Sequence, residues 1–394
     1  MTKRVKKIMA ASYIGYITQA IVNNFAPLLF LSFSVEFGVS LEKITLLATA
    51  NFGVQLLVDL IASKLTDKAG YKTMVITAHI FAAAGLIAMC LLTLTPFPFE
   101  GLVISSVLYA VGGGLTEVVI SPIVEACPTD EKSAAMSLLH SFYCWGQVFV
   151  VLLSTLFFFL FGAENWRILA VFWSLIPIFN AVFFSRLKLY QLEPDGGSMK
   201  IRVLLKTGIF WLLAVLMLCA GASEMAMSQW ATTYAQTGLG VSLETGGLLG
   251  PCLFALLMGT ARAAYAKFSD KINLAGFMIF SCGLCVAGYL LACLSPFPAL
   301  GFAGCAITGL SVGIMWPGVF SIAGERCPAG GTGMFALLAL AGDMGCMSGP
   351  TVAGFVSGAN GDNLKAGLLA AVVFPVILGI GVIILKKQTN KKIF

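Results

Sequence analysis

The chain has 394 residues, of which 59% are hydrophobic and only 11% charged, with a mean hydropathy of +0.94. That composition is too apolar for a water-soluble globule of this length. The formal net charge of +6 is accounted for by anchoring at an anionic lipid leaflet and calls for no nucleic-acid partner.

Apolar runs of about 20 residues recur, each long enough to cross roughly 30 Å of hydrocarbon as a helix. Six are expected before a polar connector, at residues 9–34, 43–65, 73–94, 100–124, 134–161 and 166–187. Six more are expected after it, at 207–236, 245–267, 273–294, 299–322, 332–357 and 364–385. The runs are continuous and lack period-two alternation, so they read as helices rather than barrel strands. The fold class is therefore an all-α membrane protein with twelve transmembrane helices.

Lys43, Arg167 and Lys365 fall on one side of the membrane and Arg262 inside a helix. The other 20 of the 24 Lys and Arg lie at the termini or at every second loop. This asymmetry places both termini in the cytoplasm of a multi-pass cell-membrane protein. The basic start Thr2–Lys7 leads into the first spanning helix rather than a cleaved signal. Most of the eleven Cys lie inside helices, where Cys acts as a small apolar residue. Cys282-Gly283-Leu284-Cys285 lacks His or carboxylate companions and reads as packing. No metal or cofactor is expected.

The two halves repeat. Gly38-Val39-Ser40-Leu41-Glu42 returns as Gly240-Val241-Ser242-Leu243-Glu244, and Thr95-Pro96-Phe97-Pro98 as Ser295-Pro296-Phe297-Pro298. Glu125-Ala126-Cys127-Pro128 returns as Glu325-Arg326-Cys327-Pro328, and Leu65-Thr66-Asp67-Lys68 is echoed by Phe268-Ser269-Asp270-Lys271. Four matches in one order at a near-constant offset indicate a duplicated unit of about 200 residues. The expected organisation is a six-helix bundle over residues 1–187, a cytoplasmic linker over 188–206 and a second, pseudo-symmetric bundle over 207–394. Paired repeats of this kind frame secondary transporters, with substrate held near the midplane between them.

Ionisable side chains inside spanning helices are costly, so each is a functional candidate. Glu117 follows Gly112-Gly113-Gly114-Leu115-Thr116 and precedes Ser121-Pro122. The glycines allow a close helix neighbour, and the proline leaves a carbonyl without its helical donor. A carboxyl there suits ion coupling or substrate binding, with a structural hydrogen bond as the alternative. Its counterpart in the other half is Pro317, so the carboxyl is not duplicated. Glu224 precedes Gln229 and Trp230 on one helix, a combination suited to a polar ligand or, alternatively, to anchoring at the interface.

Asp59 and Arg262 lie at equivalent depths, each eight residues before a loop aspartate, Asp67 or Asp270. They read as gating or ion-pair residues, with Asp343 an available partner for Arg262. Gln19, Asn23 and Asn24 form a polar patch before Pro27, and Asn51 and Gln55 another. The stretch from His140 to Gln147 is dense in aromatic and hydrogen-bonding groups. Such groups suit a polyhydroxylated ligand or serve as interhelical glue. The expected cavity, lined by helices 1, 4, 7 and 10, also takes in Trp316.

The loop Ser63-Lys64-Leu65-Thr66-Asp67-Lys68-Ala69-Gly70-Tyr71-Lys72 resembles the loop 2–3 signature of the major facilitator superfamily, with Asp67, Gly70 and Lys72 retained. Within it, Gly112–Pro122, Glu224 with Trp230, and Asn23–Pro27 are similar to segments of the fucose–proton symporter branch. Asn24 stands where that branch carries an aspartate. Gly345-Cys346-Met347-Ser348-Gly349-Pro350 resembles an antiporter motif, but in helix 11 instead of helix 5.

The resemblance implies the major facilitator fold and alternating access. It also implies proton-coupled uptake of a small polar solute, a sugar or related compound, by a monomer. Glu117 is then the coupling residue. Substrate ligands come from Asn24, Glu117, His140, Gln147, Glu224, Gln229, Trp230 and Trp316. Export of amphipathic compounds, or uncoupled exchange, is the competing function. Two lone His without metal-ligand spacing give no enzymatic set.

Overall fold

A computed structural model describes residues 2–128, 132–190, 201–268, 273–327 and 330–389. Among these residues twelve helices are long and apolar enough to cross a membrane. They are α1 (Lys3–Phe37), α2 (Leu41–Ala62), α3 (Tyr71–Leu92), α4 (Pro98–Glu125), α5 (Leu138–Phe161), α6 (Ala163–Ser185), α7 (Gly208–Leu239), α8 (Leu243–Tyr265), α9 (Leu274–Leu294), α10 (Pro298–Arg326), α11 (Met334–Ala359) and α12 (Leu364–Lys387). Each overlaps one of the apolar runs read from the sequence. α1 begins earlier than expected because the basic leader is itself helical, with the Thr2 hydroxyl accepting from the Val5 amide at 3.3 Å.

The chain forms two compact units, Met1–Pro194 and Asp195–Phe394, each holding six of the spans. Two of the four repeated motifs, those at Gly38 and Thr95, make the same local structures in both. Gly38 and Gly240 end α1 and α7 in the left-handed region, at φ 63° and φ 67°, where a side chain is strained. Ser40 and Ser242 then cap α2 and α8, accepting from the Lys43 and Thr245 amides. In the second motif, Thr95 Oγ1 accepts from the Phe97 amide at 3.4 Å and Ser295 Oγ from the Phe297 amide at 3.1 Å. Pro98 and Pro298 then occupy the first turns of α4 and α10, where a missing N–H costs nothing.

Small residues set the helix spacing inside each unit. In the first, Gly112 packs against the backbone of Ala78 and Ala82 on α3, and Gly114 against Gln55 on α2. In the second, Gly345 and Gly349 of α11 lie on the backbone of Leu218 and Ala222 on α7. The antiporter-like segment is thus a close-packing seam in this chain, as expected of small residues in a bilayer.

Spans α1 and α10 break at prolines. In α1 the α-helix Lys3–Asn24 gives way to a 3-10 turn at Ala26–Leu29, because Pro27 offers no N–H to the carbonyl four residues back. In α10 the helices Pro298–Val312 and Met315–Arg326 flank an interruption at Gly313. Pro317 lies four residues after Gly313 and leaves that carbonyl without its helical donor.

Candidate functional site

In the first unit, α1 presents Tyr16, Gln19 and Asn23 at spacings that share a helix face, and α2 presents Asn51 and Gln55 one turn apart. Gln55 Nε2 donates to Asn23 Oδ1 at 2.8 Å and to Asn51 Oδ1 at 2.9 Å. Asn51 Nδ2 donates to Asn23 Oδ1 at 3.1 Å. Gln19 Nε2 donates to Gln55 Oε1 at 2.9 Å and to Glu117 Oε2 on α4 at 3.2 Å. Asn23 Nδ2 reaches the Tyr143 hydroxyl on α5 at 3.4 Å.

The four amides are at most 5% exposed, whereas Glu117 and Tyr143 are half-buried. Glu117 therefore sits at the accessible end of a buried donor network. One turn further along α4, Ser121 Oγ lies 3.0 Å from the Tyr16 hydroxyl, which is 3.4 Å from His140 Nδ1.

His79 is buried and outside this network. Its Nδ1 lies 2.7 Å from the Val75 carbonyl and therefore carries a proton. Its Nε2 lies 2.7 Å from Asn180 Nδ2, which also donates to the Ala11 carbonyl at 3.0 Å. One neutral tautomer satisfies every contact, so His79 ties α3 to α6 and, through Asn180, to α1.

In the second unit, Arg262 on α8 places Nη2 3.0 Å from Glu224 Oε2 on α7. Its Nε donates at 3.3 Å to the Gly313 carbonyl that Pro317 leaves open. Glu224 is 7% exposed and Arg262 25%, so the pair is largely withdrawn from water. Upstream of Arg262, α8 carries a π-helical turn at Leu248–Cys252 around Pro251, a distortion often found at functional sites.

The other expected site residues are distributed as follows. Asn24 is buried, and its Nδ2 donates to the Ala20 carbonyl of its own helix at 2.9 Å. Gln147 is buried on α5 beside Gly146, which packs against Ile17 and Ala20 of α1. His140 is exposed. Gln229 is buried and touches Met225.

Trp230 is fully buried, and its indole N–H donates to the Pro350 carbonyl at 2.9 Å. This bond ties α7 to α11. Trp316 is half-buried, with its ring against Gly342, the neighbour of the half-buried Asp343. Asp59 is half-buried on the Gln55 helix. Asp67 belongs to the helix Leu41–Ala69, its side chain outside the described set, and Asp270 lies outside the described residues.

The network also uses Tyr16, Ser121 and Tyr143. The spacing of Tyr16, Gln19 and Asn23 is the signal that could have found the first of these. The Glu224–Arg262 pair adds a partner to the Asp59 and Asp343 that the sequence offered the arginine.

The family model described as Major Facilitator Superfamily matches residues 9–350. The chain belongs to the Major Facilitator Superfamily. Among solved members of similar structure is a bacterial homologue of the human lysosomal transporter Spinster. In its inward-facing, unoccupied conformation it gives a TM-score of 0.79 at 14% identity, covering 100% of this chain and 99% of that one. Its occupied inward-facing form gives 0.76 at 15% identity, with the same coverage. The Escherichia coli fucose:proton symporter gives 0.67 at 16% identity, covering 97% of this chain and 99% of that one. At such identities the likeness speaks for the fold alone. No curated protein matches the sequence. As a member of the Major Facilitator Superfamily, this multi-pass membrane protein is a transporter.

Proposed function

We propose that this superfamily member takes up a small polar solute, a sugar or related compound, together with protons by alternating access. It acts as a monomer in the cell membrane with both termini cytoplasmic. The observation that carries the reading is the half-buried Glu117 carboxylate at the end of a buried amide network, with Gln19 donating to it at 3.2 Å. Neutral donors and aromatic groups suit a polyhydroxylated ligand. A single carboxylate among them suits an exchangeable proton, because closing the site removes its water and favours the neutral form.

In this reading Glu117 couples the ion. The proposed substrate ligands are Asn24, Glu117, His140 and Gln147 in the first unit and Glu224, Gln229, Trp230 and Trp316 in the second, and Arg262 with Glu224 holds the second unit's geometry. The fucose:proton symporter among the similar structures is consistent with this assignment.

The test begins with a thermal-shift panel of sugars, nucleosides, amino acids and organic acids on purified protein. A binder stabilises the folded state by mass action. The hit is then followed into proteoliposomes under an imposed pH or sodium gradient. Accumulation driven by the pH gradient supports the reading. Accumulation driven only by sodium replaces the proton, equilibration without accumulation makes the protein a facilitator or exchanger, and substrate-stimulated efflux of amphipathic compounds makes it an exporter.

A further inference from the structure

The amide network has a fixed polarity. Gln55 spends both hydrogens of its Nε2 on the oxygens of Asn23 and Asn51. Its own oxygen must therefore accept, which forces the nitrogen of Gln19 to face it. The second hydrogen of that nitrogen points to Glu117. Gln19 Oε1 is left buried without a hydrogen-bond partner, an arrangement that costs free energy and calls for an explanation. As it stands, Gln19 can only donate to Glu117, which fits an ionised carboxylate.

A protonated Glu117 changes the requirement. Its hydroxyl needs an acceptor, and the spare buried oxygen on the contacting amide is Gln19 Oε1. Turning that amide to accept from Glu117 sets the Gln19 oxygen against the Gln55 oxygen. The clash is relieved only if Gln55 turns too, which then presents its oxygen to Asn23 and Asn51. The rearrangement thus runs from α4 through α2 to Asn23, four residues before the Pro27 break in α1.

We propose that Gln19 is a positioning residue that sets the polarity of the Gln55–Asn23–Asn51 network according to the charge on Glu117, passing the protonation state of α4 to α1 and α2. This inference rests on the reading of Glu117 as the proton carrier. The titratable groups on the other helices packed around α4 include Tyr13 and Tyr16 on α1, Asp59 on α2, His79 on α3, and His140 and Tyr143 on α5. Tyr16 is engaged with Ser121 and His140, and His79 with Val75 and Asn180.

The test is infrared difference spectroscopy of the full-length protein titrated with acid and base, with no substrate added. Side-chain amides are isotope-labelled in glutamine or asparagine, and the Glu117 carboxyl band is identified by its loss in Glu117→Gln. In the wild type, glutamine and asparagine amide bands should change with the same midpoint as the Glu117 band. In Gln19→Met the carboxyl band should still titrate while the asparagine response is lost. Gln55→Met provides a second cut, should the first variant not fold, and should keep a glutamine response while losing that of asparagine. His140→Gln and Asp59→Asn should leave the coupled response in place.

Amide bands that stay silent while Glu117 titrates overturn this inference alone, as does an asparagine response that survives in Gln19→Met. Absence of any titrating band assignable to Glu117 overturns the coupling reading and this inference together.

Discussion

Arg262 and Glu224 form an ion pair at 3.0 Å that joins α8 to α7, and the same guanidinium closes the gap that Pro317 opens in α10. One side chain thus ties three helices of the second unit together. Its donors match one full charge and one orphaned carbonyl, which makes the arginine fork better suited than a lysine point charge.

Removing one member should expose the other. Glu224→Gln and Arg262→Met are each expected to cost about 2 kcal/mol, below the 3–5 typical of a fully buried broken pair because Arg262 retains partial exposure. The double variant should recover part of that loss, with a coupling energy of about 1 kcal/mol. Thermal unfolding in detergent measures all three. Pro317→Ala, which restores an N–H for the Gly313 carbonyl, should soften the effect of Arg262→Met.

Glu117→Gln keeps the shape of the neutral carboxyl and removes its titration. Binding of the solute identified by thermal shift, and its exchange across the membrane, should persist. Concentrative uptake under a pH gradient should fall to the level of passive equilibration. Retained concentrative uptake would move the coupling role to Glu224 or Asp343.

The glycine contacts separate close approach from mere helix content. A side chain at Gly112 meets the backbone of Ala78 and Ala82, which cannot move aside cheaply. Gly112→Val should therefore sharply lower the yield of folded protein. Gly283 has nothing within 4 Å of an added Cβ, so Gly283→Ala should be neutral or stabilising by up to about 1 kcal/mol through helix propensity alone. Fluorescence size-exclusion profiles and melting temperatures distinguish the two.

Trp230→Phe should lower stability by about 1–2 kcal/mol, because the Pro350 carbonyl loses a buried donor. Solute affinity should change less than in Trp316→Phe if Trp316 supplies the ligand-facing ring. Melting temperatures and solute titrations on the same samples provide the comparison.

The sequence by itself determined the class and the repeat. Continuous apolar runs admit only helices in a bilayer, and Gly38 with Ser40 or Gly240 with Ser242 write a helix end and a helix start in local chemistry. It also marked the costly polar residues, because their rarity in an apolar chain is visible without coordinates.

Which of them meet was decided by tertiary structure. Asn23 and Asn24 are adjacent in sequence, but one residue turns a helix by about 100°. Asn23 therefore joins Gln55, while Asn24 bonds back to its own helix at Ala20. Trp230 and Glu224 share a helix, yet one is locked to Pro350 and the other to Arg262. Partner choice depends on helix rotation and on how closely small residues let neighbouring helices approach. Those quantities arise from packing of whole helices and are carried by no single motif.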